Sequence, residues 1–261
     1  MKQFLTKVIS NSPCCENMYE MRFAMDGPSD APLPGQFCTI RASLGTQGTS
    51  PLLRRPFAFS NFDDTNRITS ILYKKCGPAT EILTGKTSGD PLDVIGPLGN
   101  SFVGFKPGKK NVLVAGGTGF GPILFWNQYL KKQNLPTMTI LGCRSKAQLP
   151  SDAVSGLSGA VLCTEDGSAG FKGTVVDYLR SLHKERFGDT ALFCCGPSAM
   201  LKACHEFALE KGIECNVSLE QVMACGVGAC MGCAIKIKGD TPFARVCTEG
   251  PVFNSATVLW T

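Results

Sequence analysis

Four cysteines near the carboxyl end constrain this chain more than any other feature. The segment MACGVGACMGC, followed by RVCTEGPVF, sets Cys225, Cys230, Cys233 and Cys247 in the spacing C-x4-C-x2-C-x13-C, the plant-type arrangement for a [2Fe-2S] centre. Two ferric ions each take two terminal thiolates, so a short loop must wrap three sulfurs around a small cluster while the fourth arrives from elsewhere. Gly226, Gly228 and Gly232 suit such a loop, because glycine reaches positive φ without a Cβ penalty and lets backbone N–H groups approach sulfur. Structural zinc is the alternative, but zinc sites usually join two short knuckles. Here three cysteines sit together and one stands alone. Beyond the loop, Ala234 to Lys238 alternates apolar and basic residues, which predicts a half-buried strand, with the fourth cysteine returning from a second one.

The other ten cysteines lie singly or in adjacent pairs within apolar stretches, among them Cys38, Cys143, Cys163, Cys194, Cys195 and Cys204. Those six read as small buried hydrophobes with reduced thiols. The opening MKQFLTKVIS has Lys7 interrupting its apolar run and no small-residue cleavage site after it, so a cytoplasmic location is expected. The most apolar window, Val112 to Trp126, contains Gly116, Gly117, Gly119 and Gly121, which suits a strand, a turn and a helix start better than a membrane span. The net charge of +5 is dispersed in ones and twos, without the basic stripe and interleaved aromatics of a nucleic-acid surface. Neither a membrane nor a nucleic acid is an expected partner.

In the middle third, KNVLVAGGTGFGPILFWNQYL reads as a strand, a glycine loop and a helix. The loop is not a strict G-x-G-x-x-G, so its glycines alone leave open a tightly packed turn with no ligand. Strand-like runs recur at Thr137 to Cys143, Ala160 to Gly167 and Thr190 to Leu201, separated by segments able to form helices, which predicts a doubly wound parallel sheet. Such sheets bind ligands beyond the carboxyl ends of their strands. Gly117-Thr118-Gly119 and Cys195-Gly196-Pro197 both emerge there, a pairing that favours a dinucleotide site. Glu165 and Asp166 follow the third run and would repel a 2′-phosphate, which predicts NADH rather than NADPH; Arg144 after the neighbouring run could act the other way.

The first 105 residues show short alternating runs between Gly and Pro, with no helical period before Ala79 to Gly85, as an antiparallel barrel requires. Arg54 and Arg55 stand between Leu52-Leu53 and Pro56-Phe57, where half-burial demands an anionic partner. The fold expected is therefore an antiparallel β-barrel (1–105), a doubly wound α/β domain (106–215) and a small ferredoxin-like [2Fe-2S] domain (216–261).

The stretches LLRRPFAFS, GPLGNSF, GGTGFGP, TEDGSAGFKG, CGPSAMLKA and MACGVGACMGC with RVCTEGPVF occur in this order, and in them the chain resembles the ferredoxin reductase superfamily, specifically the electron-transfer subunits of dihydroorotate dehydrogenase B. The resemblance implies that Arg55, Pro56, Phe57 and Ala58 line FAD, that Leu72, Tyr73 and Lys74 continue that wall, and that Gly77, Pro78, Ala79 and Thr80 hold the pyrophosphate. The family usually has Ser or Thr where Ala58 stands, close to flavin N5; Ser60 could replace it only if the strand were shifted by two residues.

The resemblance further implies NADH as hydride donor to FAD, a [2Fe-2S] cluster taking electrons one at a time, and as acceptor the FMN of a dihydroorotate-oxidising catalytic subunit, in a heterotetramer with two copies of each chain. No side-chain acid or base is needed. Met223, Val227, Ala229 and Met231 interleave the cluster cysteines and are expected to form an apolar patch toward that partner. Three other readings compete: a transhydrogenase subunit, whose family often has an acidic residue where Cys225 stands, an oxygenase reductase, and a non-catalytic redox sensor.

Overall fold

Alternation in the first third produces strands that close on themselves. The computed structural model describes residues 1–25, 31–43, 51–105, 107, 110–150, 157, 159–183 and 187–260. Strand β1 (Lys2–Cys15) turns Phe4, Thr6 and Val8 inward. Its second half pairs with β2 (Met18–Ala24). Strands β3 (Phe37–Arg41), β4 (Arg55–Asp63), β5 (Ile68–Lys74) and β6 (Pro91–Leu98) follow, and β6 returns to pair with the first half of β1. The result is a closed antiparallel barrel of order β1-β2-β5-β4-β3-β6, in which closure removes the exposed strand edges. A short helix, α1 (Pro78–Thr84), starts on Pro78, whose missing N–H costs nothing in a first turn.

Arg54 finds its anion within the barrel. It pairs with Asp93 of β6 at 2.5 Å, with the two side chains only 14% and 6% exposed, and donates to the Asp93 carbonyl at 2.9 Å. Gln3 donates to the same carboxylate at 2.9 Å. Removing either charge would strand the other, at a cost of about 3–5 kcal/mol. Arg54 thus staples β4 to β6, and Arg55 alone remains for a ligand.

The middle third forms parallel strands β7 (Lys110–Gly116), β8 (Thr137–Cys143), β9 (Val161–Thr164), β10 (Phe171–Lys172), β11 (Thr190–Cys195) and β12 (Glu214–Ser218). Side chains alternate across the sheet. Val112, Val114, Leu192 and Cys194 pack under α3 (Val175–Ser181) and α4 (Ser198–Lys211), whereas Leu113, Ala115, Phe193 and Cys195 pack under α2 (Phe120–Lys132). Helices on both faces make the sheet doubly wound. The last segment adds a hairpin, β13 (Ala234–Lys236) with β14 (Phe243–Arg245), and then β15 (Val252–Asn254), which joins the large sheet antiparallel to β12.

Helix α2 locks the sheet to the barrel. Phe125 inserts among the barrel's core residues, while Met18 and Leu72 of the barrel pack with Phe120 and Trp126. Each such buried side chain contributes roughly 1.5–3 kcal/mol. A Cβ on Gly121 would stand 3.1 Å from Ser60 Cβ, so the helix start lies directly on the barrel wall. No described helix is long and apolar enough to cross a membrane.

Candidate functional site

Where the barrel, the carboxyl edge of the sheet and the last segment converge there is a cavity of about 610 Å³. Its barrel wall carries Arg55, Pro56, Phe57 and Ala58 of β4, Leu72, Tyr73 and Lys74 of β5, and Gly77, Pro78, Ala79 and Thr80 at the start of α1. Every flavin-wall residue expected from the sequence therefore borders one space. Tyr73 is held by a hydrogen bond to Asn11 Oδ1 at 2.8 Å and by ring contacts with Tyr19 and Phe57; burial pushes its phenol up to about 12. Thr80 Oγ1 accepts from the N–H groups of Cys76 (2.9 Å) and Gly77 (3.1 Å), fixing the entry to α1. The first helical turn leaves N–H groups without intrahelical acceptors, and Ala79 and Thr80 supply them at the cavity wall. Arg55 donates to the Leu53 carbonyl at 2.7 Å, and Lys75 rather than Lys74 pairs with Glu81, at 2.8 Å.

Ala58 reaches the cavity and Ser60 does not. Ser60 is buried, shares a 2.8 Å hydrogen bond with Ser70 and lies beneath Gly121, so no strand shift brings its hydroxyl into the space.

The opposite wall is the sheet edge. Strand order β8-β7-β11-β12 places the reversal of strand order between the parallel neighbours β7 and β11, where open α/β sheets bind ligands. Gly117, Thr118 and Gly119 leave β7 there, and Cys195, Gly196 and Pro197 leave β11. Thr118 and Cys195 line the cavity. Gly119 serves the crossing of the loops instead. A Cβ on it would lie 2.1 Å from the Cys195 carbonyl oxygen, so the two loops can cross only over a glycine. Glu165 and Asp166 sit exposed at the end of β9, with the Asp166 N–H on the Arg144 carbonyl. Arg144 and the two acids thus share one edge.

The cluster loop borders the same cavity through Met223, just before Cys225, and Pro251, just after Cys247. Gly226 (φ 70°), Gly228 (φ 82°) and Met231 (φ 59°) take left-handed backbone; the third such position is thus Met231 rather than Gly232. The thiols fall into two pairs, Cys225 with Cys230 and Cys233 with Cys247, the grouping that two irons with two terminal sulfurs each require. Among the described residues no three His, Cys, Asp or Glu side chains gather about a single-ion position. Backbone N–H groups point at sulfur: Val227 at Cys225 (3.5 Å), Gly228 at Cys247 (3.2 Å) and Gly232 at Cys230 (3.4 Å). Burial raises the Cys225 thiol, but hydrogen bonds from the N–H groups of Val227 and Cys230, the Cys230 thiol and the N–H of Ala229 outweigh it and bring the thiol to about 6. Such donors favour thiolate, the form that binds iron. Asn100 fastens the Cys247 turn to the barrel with four hydrogen bonds, to Gly250 O, Glu249 O, Val252 O and from Val252 N, at 2.7–3.0 Å.

Residues 220–259 match the family model described as the iron-sulfur cluster binding domain of dihydroorotate dehydrogenase B. Over 99% of its length the chain is 36% identical to the dihydroorotate dehydrogenase B (NAD(+)) electron transfer subunit of Desulforamulus reducens, also covering 99% of that protein. With the corresponding subunit of Caldanaerobacter subterraneus subsp. tengcongensis it shares 38% identity, covering 97% of each. The chain belongs to this family of electron-transfer subunits. A chain from the structure of an NADH-dependent reduced ferredoxin-NADP oxidoreductase superposes with a TM-score of 0.85 at 29% identity, over 98% of this chain and 90% of that one.

For a dihydroorotate dehydrogenase B electron-transfer subunit, several cavity residues carry no sequence signal of their own: Gly35, Phe37, Cys76, Ser218, Leu219, Glu220 and Gln221. Glu220 matters most chemically. It accepts a hydrogen bond from Thr118 Oγ1 at 3.1 Å; although open to the cavity's solvent, it is walled by protein on most sides, and this desolvation holds its carboxyl above the usual range. Cys195 beside it is pushed further up, by burial first and then by the Glu220 charge.

Proposed function

We propose that this chain carries electrons between NAD(H) and the FMN of a dihydroorotate-oxidising catalytic subunit, through FAD in the 610 Å³ cavity and a [2Fe-2S] cluster on Cys225, Cys230, Cys233 and Cys247. One observation carries the reading: the expected flavin wall, the loops at the sheet's switch point and the approaches to the cluster loop all border that one space. Nicotinamide gives electrons in pairs and an iron-sulfur cluster takes them singly, and a bound flavin supplies the exchange between the two.

The protein's part is binding, orientation and charge. Arg55 and the N–H groups of Ala79 and Thr80 hold the pyrophosphate, and Phe57, Ala58, Leu72 and Tyr73 flank the ring system. Gly117, Thr118, Gly119, Cys195, Gly196 and Pro197 receive the dinucleotide, with Glu165 and Asp166 near its adenosine ribose. Domain limits at 105 and 215 fit this division, although β12 and β15 weave the last segment into the sheet.

The partner reading rests on exposure at the cluster loop. Met231 is 52% exposed and Val227 38%, flanked by Val222 at 85% and Phe243 at 48%, an apolar set of the kind that marks an interface. Met223 turns inward to the cavity instead. This patch docks the catalytic subunit, two copies of each chain form the complex, and its place is the cytoplasm. Mixing the chain with the FMN subunit and following dihydroorotate-dependent NAD+ reduction tests the proposal. Turnover should require both chains and should fall at least about 10-fold in Met231→Asp, since a charge buried at an interface costs well over 1.4 kcal/mol. Turnover by the isolated chain would refute the need for a partner, and full coupling in the variant would move the interface elsewhere.

A further inference from the structure

We propose that the Thr248 hydroxyl tunes the reduction potential of the iron-sulfur centre by donating a hydrogen bond to the Cys247 sulfur. The inference rests on the reading of Cys225, Cys230, Cys233 and Cys247 as the ligands of that centre. Thr248 Oγ1 lies 3.4 Å from Cys247 Sγ. Between a free thiol and a hydroxyl either could donate, but a thiolate bound to iron carries no proton, so the hydroxyl is the donor. Apart from the thiols themselves, Thr248 is the only side chain among the described residues that donates to one of these sulfurs; Val227, Gly228, Gly232 and Cys247 do so through backbone N–H groups. It is therefore the donor that a substitution can delete without altering the backbone.

The surrounding turn holds this hydroxyl in place. The N–H groups of Thr248, Glu249 and Gly250 all donate to the Arg245 carbonyl, at 3.1, 2.9 and 3.3 Å. Arg245 Nη1 in turn donates to the Gly228 carbonyl at 2.7 Å, and the Gly228 N–H reaches the same Cys247 sulfur at 3.2 Å. A Cβ on Gly228 would stand 2.6 Å from Thr248 Oγ1, so the hydroxyl fills the space that a side chain at position 228 would need. Loop and turn thus close over one sulfur with two donors, one from backbone and one from a side chain. Reduction adds negative charge to the centre, and donors aimed at sulfur stabilise the reduced form more than the oxidised one, which raises the potential. Cys247 itself is buried, and an isosteric methyl in the hydroxyl's place keeps water from replacing the lost donor.

The test is an anaerobic redox titration of the purified full-length chain, in which low-temperature electron paramagnetic resonance counts the reduced centre at each mediator-poised potential. Thr248→Val should hold less reduced centre at a fixed potential, with the reduced-to-oxidised ratio down about threefold to tenfold, a midpoint lowered by about 28 to 59 mV for one electron. Thr248→Ser, which keeps the hydroxyl, should titrate with wild type. Iron, acid-labile sulfide and thermal midpoint should match wild type in both variants. A Thr248→Val midpoint equal to that of wild type overturns the assignment while leaving the electron-transfer reading intact. A Thr248→Ser midpoint that falls with that of Thr248→Val assigns the effect to packing and overturns it as well. A wild-type chain with no iron-sulfur signal sinks both the assignment and the reading beneath it.

Discussion

Cys230→Ser will leave a folded, FAD-containing protein that lacks its iron-sulfur centre and no longer reduces a partner. The expectation follows from where Cys230 sits. It is exposed, so its replacement creates no core cavity, and its place among the sulfurs is paired with Cys225. A serine oxygen is far less readily ionised than a thiol and a harder ligand, unsuited to an iron-sulfide core whose terminal positions are thiolates. The flavin wall lies on β4, β5 and α1, remote in sequence from the loop, and Asn100 holds the Cys247 turn through backbone groups that the substitution does not touch. Iron and acid-labile sulfide should fall to background while the FAD-to-protein ratio stays at the wild-type value. Bleaching of the flavin by NADH should persist, and dihydroorotate-linked turnover should vanish. Retention of the full iron content would remove Cys230 from the ligand set.

Gly119→Ala should be almost as damaging, by a different route. The added methyl would come within 2.1 Å of the Cys195 carbonyl oxygen and 2.7 Å of the Gly196 nitrogen, and both are backbone atoms that cannot rotate away. The loops after β7 and β11 must then part. Overpacking of this kind costs about 1–3 kcal/mol, which lowers the melting temperature of a chain this size by about 2–4 °C per kcal/mol. The larger effect is on reaction geometry. A displacement of about 1 Å at a site that orients two reactants can cost about 100-fold in rate, so NADH-driven flavin reduction should fall by about that factor with FAD content unchanged. A wild-type rate would mean that the loop crossing has no part in placing the dinucleotide.

Much of this was legible in the sequence because chemistry and spacing coincide. The cysteine spacing marked out the loop and its left-handed turns at Gly226 and Gly228, whereas the third fell on Met231 rather than Gly232. The runs at Val112 to Ala115 and Thr137 to Cys143 became neighbouring parallel strands, since continuous apolar strands flanked by helical segments can be covered only on two faces. Arg54 and Arg55 were harder to separate. Both stand in the same apolar context, and only the barrel's closure, which brings Asp93 across from β6, decides which one is spent on structure. Glu220 was invisible for a related reason. A lone acid after a strand has no periodicity or spacing to mark it, and its significance arises when the sheet edge brings it to Thr118, 102 residues away in the chain. The entry of β15 into the sheet also escaped local reading, because three residues carry too little pattern to announce a partner strand.

Electron flow from NADH to the Cys225–Cys247 cluster through a flavin in this same chain can be followed by an anaerobic NADH titration read jointly by visible absorption and electron paramagnetic resonance. Flavin bleaching should be accompanied by the rhombic low-temperature signal of a reduced [2Fe-2S] centre, and Cys230→Ser should keep the bleaching and lose the signal. A flavin that bleaches fully while an intact cluster stays oxidised and silent would contradict this route.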